Sequence, residues 1–297
     1  LVHAGNVFFV ATIRFNFFFK GVFAKNSAIM ITMRLTNHCY AVTGLGYLAP
    51  WCVNAGFIAG DEAILVVDTG GNTLAAQTIY GYASAIRPEN KLRAINTERH
   101  FDHIGGNGYF RAQEIDVWGH AEAVRTPEEF QAEIAEFNDS IAAPARRALH
   151  ESRAFFHDTN PANPNCLIQA ETEFELGGMK AQILFTPGHT PTNLSVWLPQ
   201  DGVLYTGDLV VSEYLPNLDA GSPADWRIWL DSLNRIEALK PDFIVGGHGP
   251  VSSGAEIPAA IDSVRKVLCE SIERGSSPTA GSCYGAQTAK QANDAEL

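Results

Sequence analysis

The chain is short of positive charge. Over 297 residues, 21 Lys and Arg stand against 33 Asp and Glu, a formal charge of −12. A nucleic-acid binder needs a basic face for phosphate contacts, so that class is disfavoured. Acidity itself names no partner and mainly favours solubility. Cysteine is scarce and scattered: Cys39, Cys52, Cys166, Cys269 and Cys283 are odd in number and include no CxxC pair. Neither a disulfide scaffold nor a thiolate zinc site is suggested. Long hydrophobic runs are missing too, because Arg14, Asn16 and Lys20 break the most apolar stretch. A membrane span needs about 20 nearly uninterrupted apolar residues, so no span is expected. With 46% hydrophobic and 18% charged residues, wholesale disorder is excluded. The chain reads as a soluble globular enzyme.

The amino terminus differs from the rest. Residues 1–23 hold seven of the 17 phenylalanines. A secretory signal has a basic start, a longer apolar core and small residues at a cleavage site; Leu1–Asn6 carries no Lys or Arg, and no good A-x-A site follows. Residues 1–29 are therefore expected to be an N-terminal extension outside the functional domain. The expected location is the cytoplasm, with export or a hydrophobic anchor as the rival reading of the Phe-rich start.

From Arg34 the pattern becomes regular. Cys39–Thr43, Val53–Ala59 and Ala63–Asp68 are short β-rich runs separated by Gly, Pro and Asp turns. Asn72–Ile86 reads as a helix stopped by Pro88, and Leu92–Asn96 as a buried strand. Gly105–Phe110 opens a short helix and Ile115–Trp118 is a strand. Residues 121–156 read as a helical insertion over one edge, with Pro127 and Pro144 marking starts or breaks. Strands return at Cys166–Ala170, Thr172–Leu176, Met179–Phe185, Leu194–Leu198 and Val203–Tyr205. Pro223–Leu239 is an amphipathic helix, Phe243–Val245 a last strand and Ile257–Glu273 a closing helix. Two groups of strands flanked by helices predict α/β layers, with helices outside a central pair of sheets. One domain over residues 30–273 is expected, followed by a loose tail over 274–297.

The informative stretch is Asn96-Thr-Glu-Arg-His-Phe-Asp-His-Ile-Gly-Gly-Asn107. It places four potential metal ligands, Glu98, His100, Asp102 and His103, within six residues after a hydrophobic strand. A tight turn can point such neighbours into one cavity, and Gly105 and Gly106 permit close backbone approach. Imidazole and carboxylate without thiolate suit zinc, with manganese or iron as alternatives. Three further signals follow: Thr186-Pro-Gly-His189-Thr, Tyr205-Thr-Gly-Asp208 and Val245-Gly-Gly-His248-Gly-Pro250. Each sets a ligand type beside glycine at a strand's carboxyl end, where loops commonly build active sites.

With these motifs in this order, the chain resembles the metallo-β-lactamase-fold hydrolase superfamily, particularly its glyoxalase II-like branch. The family's first motif reads H-x-H-x-D-H, followed by a His, a bridging Asp and a last His. The resemblance spans about Arg34 to Glu273 and includes Val66-Val-Asp68-Thr-Gly70. One departure stands out: Glu98 occupies the place of the first His. The resemblance implies a four-layer αββα sandwich of the metallo-β-lactamase type. It implies two divalent metal ions, one held by Glu98, His100 and His189, the other by Asp102, His103 and His248, with Asp208 bridging. A metal-bridging hydroxide would attack the ester, thioester, lactone or amide carbonyl of a small-molecule substrate. Asp102 is the implied catalytic residue, orienting that nucleophile and relaying its proton. Asp68 is implied to fix a ligand histidine by accepting its other ring N–H. Two divalent ions, three carboxylates and one hydroxide sum to zero charge, so Glu98 implies a weaker electrophile or a harder ion than a His would.

Each residue also has a plainer reading. His100, Asp102 and His103 can make a polar turn with a helix cap. Glu98 can be a position that binds no metal, His189 and His248 can be turn histidines, and Asp208 and Asp68 can cap a loop and end a strand. Tyr47, Trp51, Phe101 and Tyr214 are expected near the mouth of the site, whereas Trp226, Trp229 and Leu233 have the helical spacing of core residues. Gly44-Leu-Gly46 reads as a hairpin turn. Within the family a generic hydrolase is the leading expectation. Lactamases usually place Cys or Ser at the Asp208 position, glyoxalase II enzymes carry more than the 49 residues found here after His248, and lactonases typically have a Tyr where Val211 stands. Two alternatives remain: an iron-dependent oxidoreductase, because flavodiiron relatives use a Glu in the first motif position, and a non-catalytic metal-binding relative. The substrate and the oligomeric state are not legible.

Overall fold

Alternating side chains sort this chain into layers. Along β2 (Cys39–Leu45), Cys39 and Ala41 enter one core while Tyr40 and Val42 enter another. Along β4 (Ala63–Val67), Ala63, Leu65 and Val67 face the first core and Ile64 and Val66 the second. A strand buried on both faces reads as a continuous apolar run, which is why AILVV carries no polar residue. The computed structural model describes residues 31–45, 53–140, 159–218 and 221–275.

Seven strands form the first sheet: β1 (Ile31–Arg34), β2, β3 (Val53–Ala59), β4, β5 (Lys91–Ile95), β6 (Val117–His120) and β7 (Cys166–Ile168), in that order. The pairings are antiparallel from β1 to β4 and parallel from β4 to β7. Six strands form the second sheet: β8 (Thr172–Glu175), β9 (Lys180–Phe185), β10 (Leu194–Leu198), β11 (Val203–Gly207), β12 (Phe243–Gly246) and β13 (Ser252–Ser253). All its pairings are antiparallel except β11 with β12.

Three cores then define four layers. The inter-sheet core draws Ile58 and Leu65 from the first sheet and Ile183, Leu194, Val196 and Tyr205 from the second. Helices α1 (Thr73–Ile86) and α3 (Asn107–Ala112) cover the outside of the first sheet, with Ala76, Ile79, Ala83 and Phe110 buried against it. Helices α5 (Pro223–Ala238) and α6 (Glu256–Arg274) cover the second, burying Trp229, Leu233, Ile261 and Val264. This is the expected αββα sandwich. Local chemistry sets the helix ends: the Asn72 side chain accepts from Ala75 N–H at 2.8 Å, and Pro223 opens α5 beside an Asp225 carboxylate that accepts from Ser222 N–H at 2.8 Å.

Two sequence expectations need correction. The insertion is not helical from residue 121: residues 121–122 form a turn, residues 123–126 have no regular structure, and α4 (Pro127–Ser140) begins at the proline. Residues 141–156 lie outside the described residues, as do residues 1–29, Tyr47, Trp51 and the tail from 276. The metal-motif stretch holds a one-turn helix, α2 (Phe101–Ile104), that the sequence pattern did not signal. Among the described residues no helix is long and apolar enough to cross a membrane.

Candidate metal centre

The strands deliver the polar side chains to one edge of the sandwich. Asp68 follows β4 and residues 96–103 follow its parallel neighbour β5. Strands β9, β11 and β12 of the other sheet end just before His189, Asp208 and His248. The two sheets are stitched together at this edge. Leu194 N–H donates to Thr97 O at 2.6 Å, and Asn54 N–H donates to Gly247 O at 2.7 Å. The Asn54 side-chain amide donates to Gly246 O and Gly249 O at 2.9 and 2.8 Å, bracketing His248 from the first sheet.

Glycine permits the close approach at two places. A Cβ on Gly106 would sit 2.2 Å from Thr69 O, and one on Gly247 would sit 1.8 Å from the Asp208 carboxylate. No other residue type fits there without a shift of backbone or ligand.

All seven expected ligands come together. One group is Glu98, His100 and His189, a second is Asp102, His103 and His248, and a third, Glu98, His103 and Asp208, spans both. Within each, the candidate ligand atoms lie within 4.8 Å of one another. His100 Nδ1 is 2.8 Å from Glu98 Oε2 and 2.9 Å from His189 Nε2. His248 Nε2 is 3.2 Å from Asp102 Oδ2 and 3.3 Å from Asp208 Oδ2. Asp208 reaches both sides, with Oδ1 3.2 Å from His103 Nε2 and Oδ2 3.6 Å from His189 Nε2. Only His100 opens appreciably to solvent, with 28% of its side chain exposed, so access is from its side.

The donor set fits a cation. Both carboxylate oxygens of Glu98, Nε2 of His103 and Oδ1 of Asp208 are buried and carry no hydrogen bond of ordinary geometry. Leaving such groups unsatisfied is costly, and a shared positive ion satisfies them together. Their titration says the same. Burial opposes charge on every group, yet the imidazoles of His100, His189 and His103 hold the Glu98 carboxyl below its usual range. Asp102 falls to about 2 against burial, through the His103 charge and the His248 hydrogen bond. Asp208 is driven well below the usual range by His248 and His103. Reciprocally, burial is overcome at His100, raised to about 9 by Glu98, and at His248, raised to about 10 by Asp208 and Asp102. Carboxylates and imidazoles packed this closely favour a shared positive charge, and metal binding there would be coupled to proton release.

Asp68 stands behind the candidate ligands. Its carboxylate lies 3.0 Å from His103 Nδ1 and accepts from Thr97 N–H and Thr97 Oγ1, both at 2.7 Å. Thr97 and Asn193 were not singled out from sequence. Asn193 Nδ2 donates to Thr206 O and Leu194 O, both at 3.2 Å, in the layer beneath the ligands. No residue spacing signals either role. Trp229, expected as core, is buried, but its ring also meets His189 edge-on at 5.6 Å. Phe101 does not line a mouth: it is fully buried against Phe130 at 6.2 Å. Tyr214 is half-buried with its ring 5.3 Å from that of His248.

The family profile described as Metallo-beta-lactamase superfamily matches residues 49–248. The chain belongs to the metallo-β-lactamase superfamily. It is 21% identical over 253 residues to the metallo-beta-lactamase type 2 of Bacteroides fragilis, covering 82% of this chain and 88% of that one. It is 29% identical over 149 residues to a hydroxyacylglutathione hydrolase of Thermosynechococcus vestitus, covering 50% of this chain and 45% of that enzyme. Among solved structures, a metallo-beta-lactamase from Pontibacter korlensis superposes with a TM-score of 0.59 at 17% identity, covering 80% of this chain and 99% of that one. The chain therefore has the sandwich fold of this superfamily, and its own side chains form groups that could hold metal.

Proposed function

We propose that this protein is a metal-dependent hydrolase of a small carbonyl substrate, with two divalent ions held at the edge of the sandwich. Zinc is the first expectation, with manganese or iron as alternatives. The observation that carries the reading is the pair of candidate ligand groups with Asp208 between them, its oxygens reaching His103 and His248 of one and His189 of the other. Glu98, His100 and His189 would hold one ion, and Asp102, His103 and His248 the other. When bound, such ions lower the pKa of a water and polarise a carbonyl.

The chain's own side chains do the rest. Asp102, ionised at neutral pH, would orient the attacking water and carry its proton toward the leaving group. Asp68 would hold His103 by accepting its Nδ1–H, leaving Nε2 turned into the centre. Glu98, with no measurable exposure, brings negative charge where an imidazole would bring none, which softens the electrophile and favours a harder ion. That same carboxylate favours the second reading, an iron-dependent oxidoreductase, which predicts visible absorption from the purified protein.

The test is turnover on esters, thioesters including hydroxyacylglutathione, lactones and β-lactams by chelator-stripped and reloaded protein. Hydrolysis in at least one class, lost on stripping and restored by zinc or manganese, is expected. Asp102→Asn should weaken binding at the second group and, even when reloaded with excess metal, lower kcat by about 100-fold. Turnover indifferent to stripping contradicts the reading.

A further inference from the structure

The peptide between Glu98 and Asp102 is held by the segment around α4 rather than by either sheet. Glu133 Oε1 accepts from Phe101 N–H at 3.0 Å. Arg125 Nη1 donates to Arg99 O at 3.0 Å, and the same nitrogen pairs with the Glu133 carboxylate. Only 8% of the Arg125 side chain and 16% of the Glu133 side chain is exposed. Arg125 is itself pinned: its N–H donates to Asn163 Oδ1 and its carbonyl accepts from Asn163 Nδ2, both at 2.8 Å. Phe130 and Ile134 on the same helix close over Phe101 and Ile104, and the Arg125 guanidinium lies 5.1 Å from the Phe130 ring centre.

As a stabiliser this pair is a poor choice, because a largely buried ion pair commonly gives no more than two well-packed apolar side chains would. An apolar pair could not hold a carbonyl and an amide in fixed places. The two gripped peptide groups flank His100 and lie directly before Asp102, so rotation of either would move a ligand from each of the two groups. Ligand placement has to hold to within about 0.5 Å for a site of this kind.

We propose that Arg125 and Glu133 are positioning residues for the metal centre, acting through Arg99 O and Phe101 N–H to set His100 and Asp102. The proposal rests on the reading that the centre binds metal. Its test is the zinc dissociation constant, by competition with a chromophoric chelator, together with melting temperatures of metal-free and zinc-loaded protein. The variants are Glu133→Ala, Glu133→Gln and Glu128→Ala, the last removing the same charge from an exposed position on the same helix. Glu133→Ala should weaken zinc by about tenfold and narrow the gap between the two melting temperatures. Glu133→Gln keeps an acceptor for the Phe101 amide and should recover part of the loss, while Glu128→Ala should match the unaltered chain. Unchanged zinc affinity in Glu133→Ala, with both melting temperatures lowered equally, would overturn the proposal and leave a packing contact. If Glu133→Ala does not fold, Arg125→Gln, which removes the charge facing Glu133 and shortens the reach to Arg99 O, carries the same expectation. Absence of zinc, manganese or iron binding by the unaltered chain would instead overturn the underlying reading, and the proposal with it.

Discussion

Asp68 Oδ2 lies 3.0 Å from His103 Nδ1, and the Asp68 backbone takes a left-handed φ of 63° to put it there. Asp tolerates that region better than most residues, but the conformation still costs roughly 1 kcal/mol. The carboxylate is buried with only Thr97 and His103 as its hydrogen-bond partners among the described residues. Strain and burial together suit an orienting role better than a turn cap. Asp68→Asn keeps the shape and loses the charge. It should lower zinc affinity 10–100-fold with the fold retained, as measured by chelator competition and far-UV circular dichroism. Unchanged affinity would reduce Asp68 to a strand-ending residue.

Asp208→Ala removes a side chain whose oxygens reach His103 and His248 of one group and His189 of the other. Metal content and hydrolysis should fall together, with at least one equivalent lost. Retention of both would show that Asp208 does not bridge.

Glu98→His tests the departure from the family motif. The side chain sits among His100, His103 and His189, so an imidazole there replaces charge but keeps a ligand atom. The variant should fold and bind zinc more tightly at the first group, a softer set for a borderline-soft ion. Weaker zinc binding would count against Glu98 as a ligand.

Far from the centre, Asp201 ties the two sheets together. It accepts from the Thr36 hydroxyl, from His38 N–H at 3.3 Å and lies 3.0 Å from His38 Nδ1. Burial pushes its carboxyl up, but the Thr36 and His38 hydrogen bonds and the His38 charge outweigh it and leave the pKa lowered. A lowered folded value means stability that is present above the unfolded pKa of about 4 and lost as pH falls through the folded one. Asp201→Asn should therefore melt below the unaltered chain at pH 7, and the difference should close as pH drops below about 4. A difference constant with pH would show that the charge contributes nothing.

Much of this was legible in the chain itself, for reasons that differ by element. Strand β3 and strand β10 read correctly to the residue because both are predominantly apolar and bounded by turn residues. The residues that cluster at the sandwich edge were legible as candidates because metal chemistry asks for His and carboxylates, here beside glycine at strand ends. Helix α2 was missed because four residues are too few to show a period, and Phe101 was misplaced because an aromatic beside a motif looks the same whether it lines a pocket or plugs a core. Arg125 and Glu133 were invisible for a third reason. They reach the centre across 26 and 32 residues through single hydrogen bonds to backbone, and such contacts leave no pattern in a sequence.

The central claim is a two-ion centre, and metal content per chain tests it most directly. Protein purified without added metal, analysed by elemental mass spectrometry against its own sulfur, should carry close to two equivalents of divalent ion, zinc foremost. One equivalent or less, unchanged after incubation with zinc, manganese or iron, would contradict it.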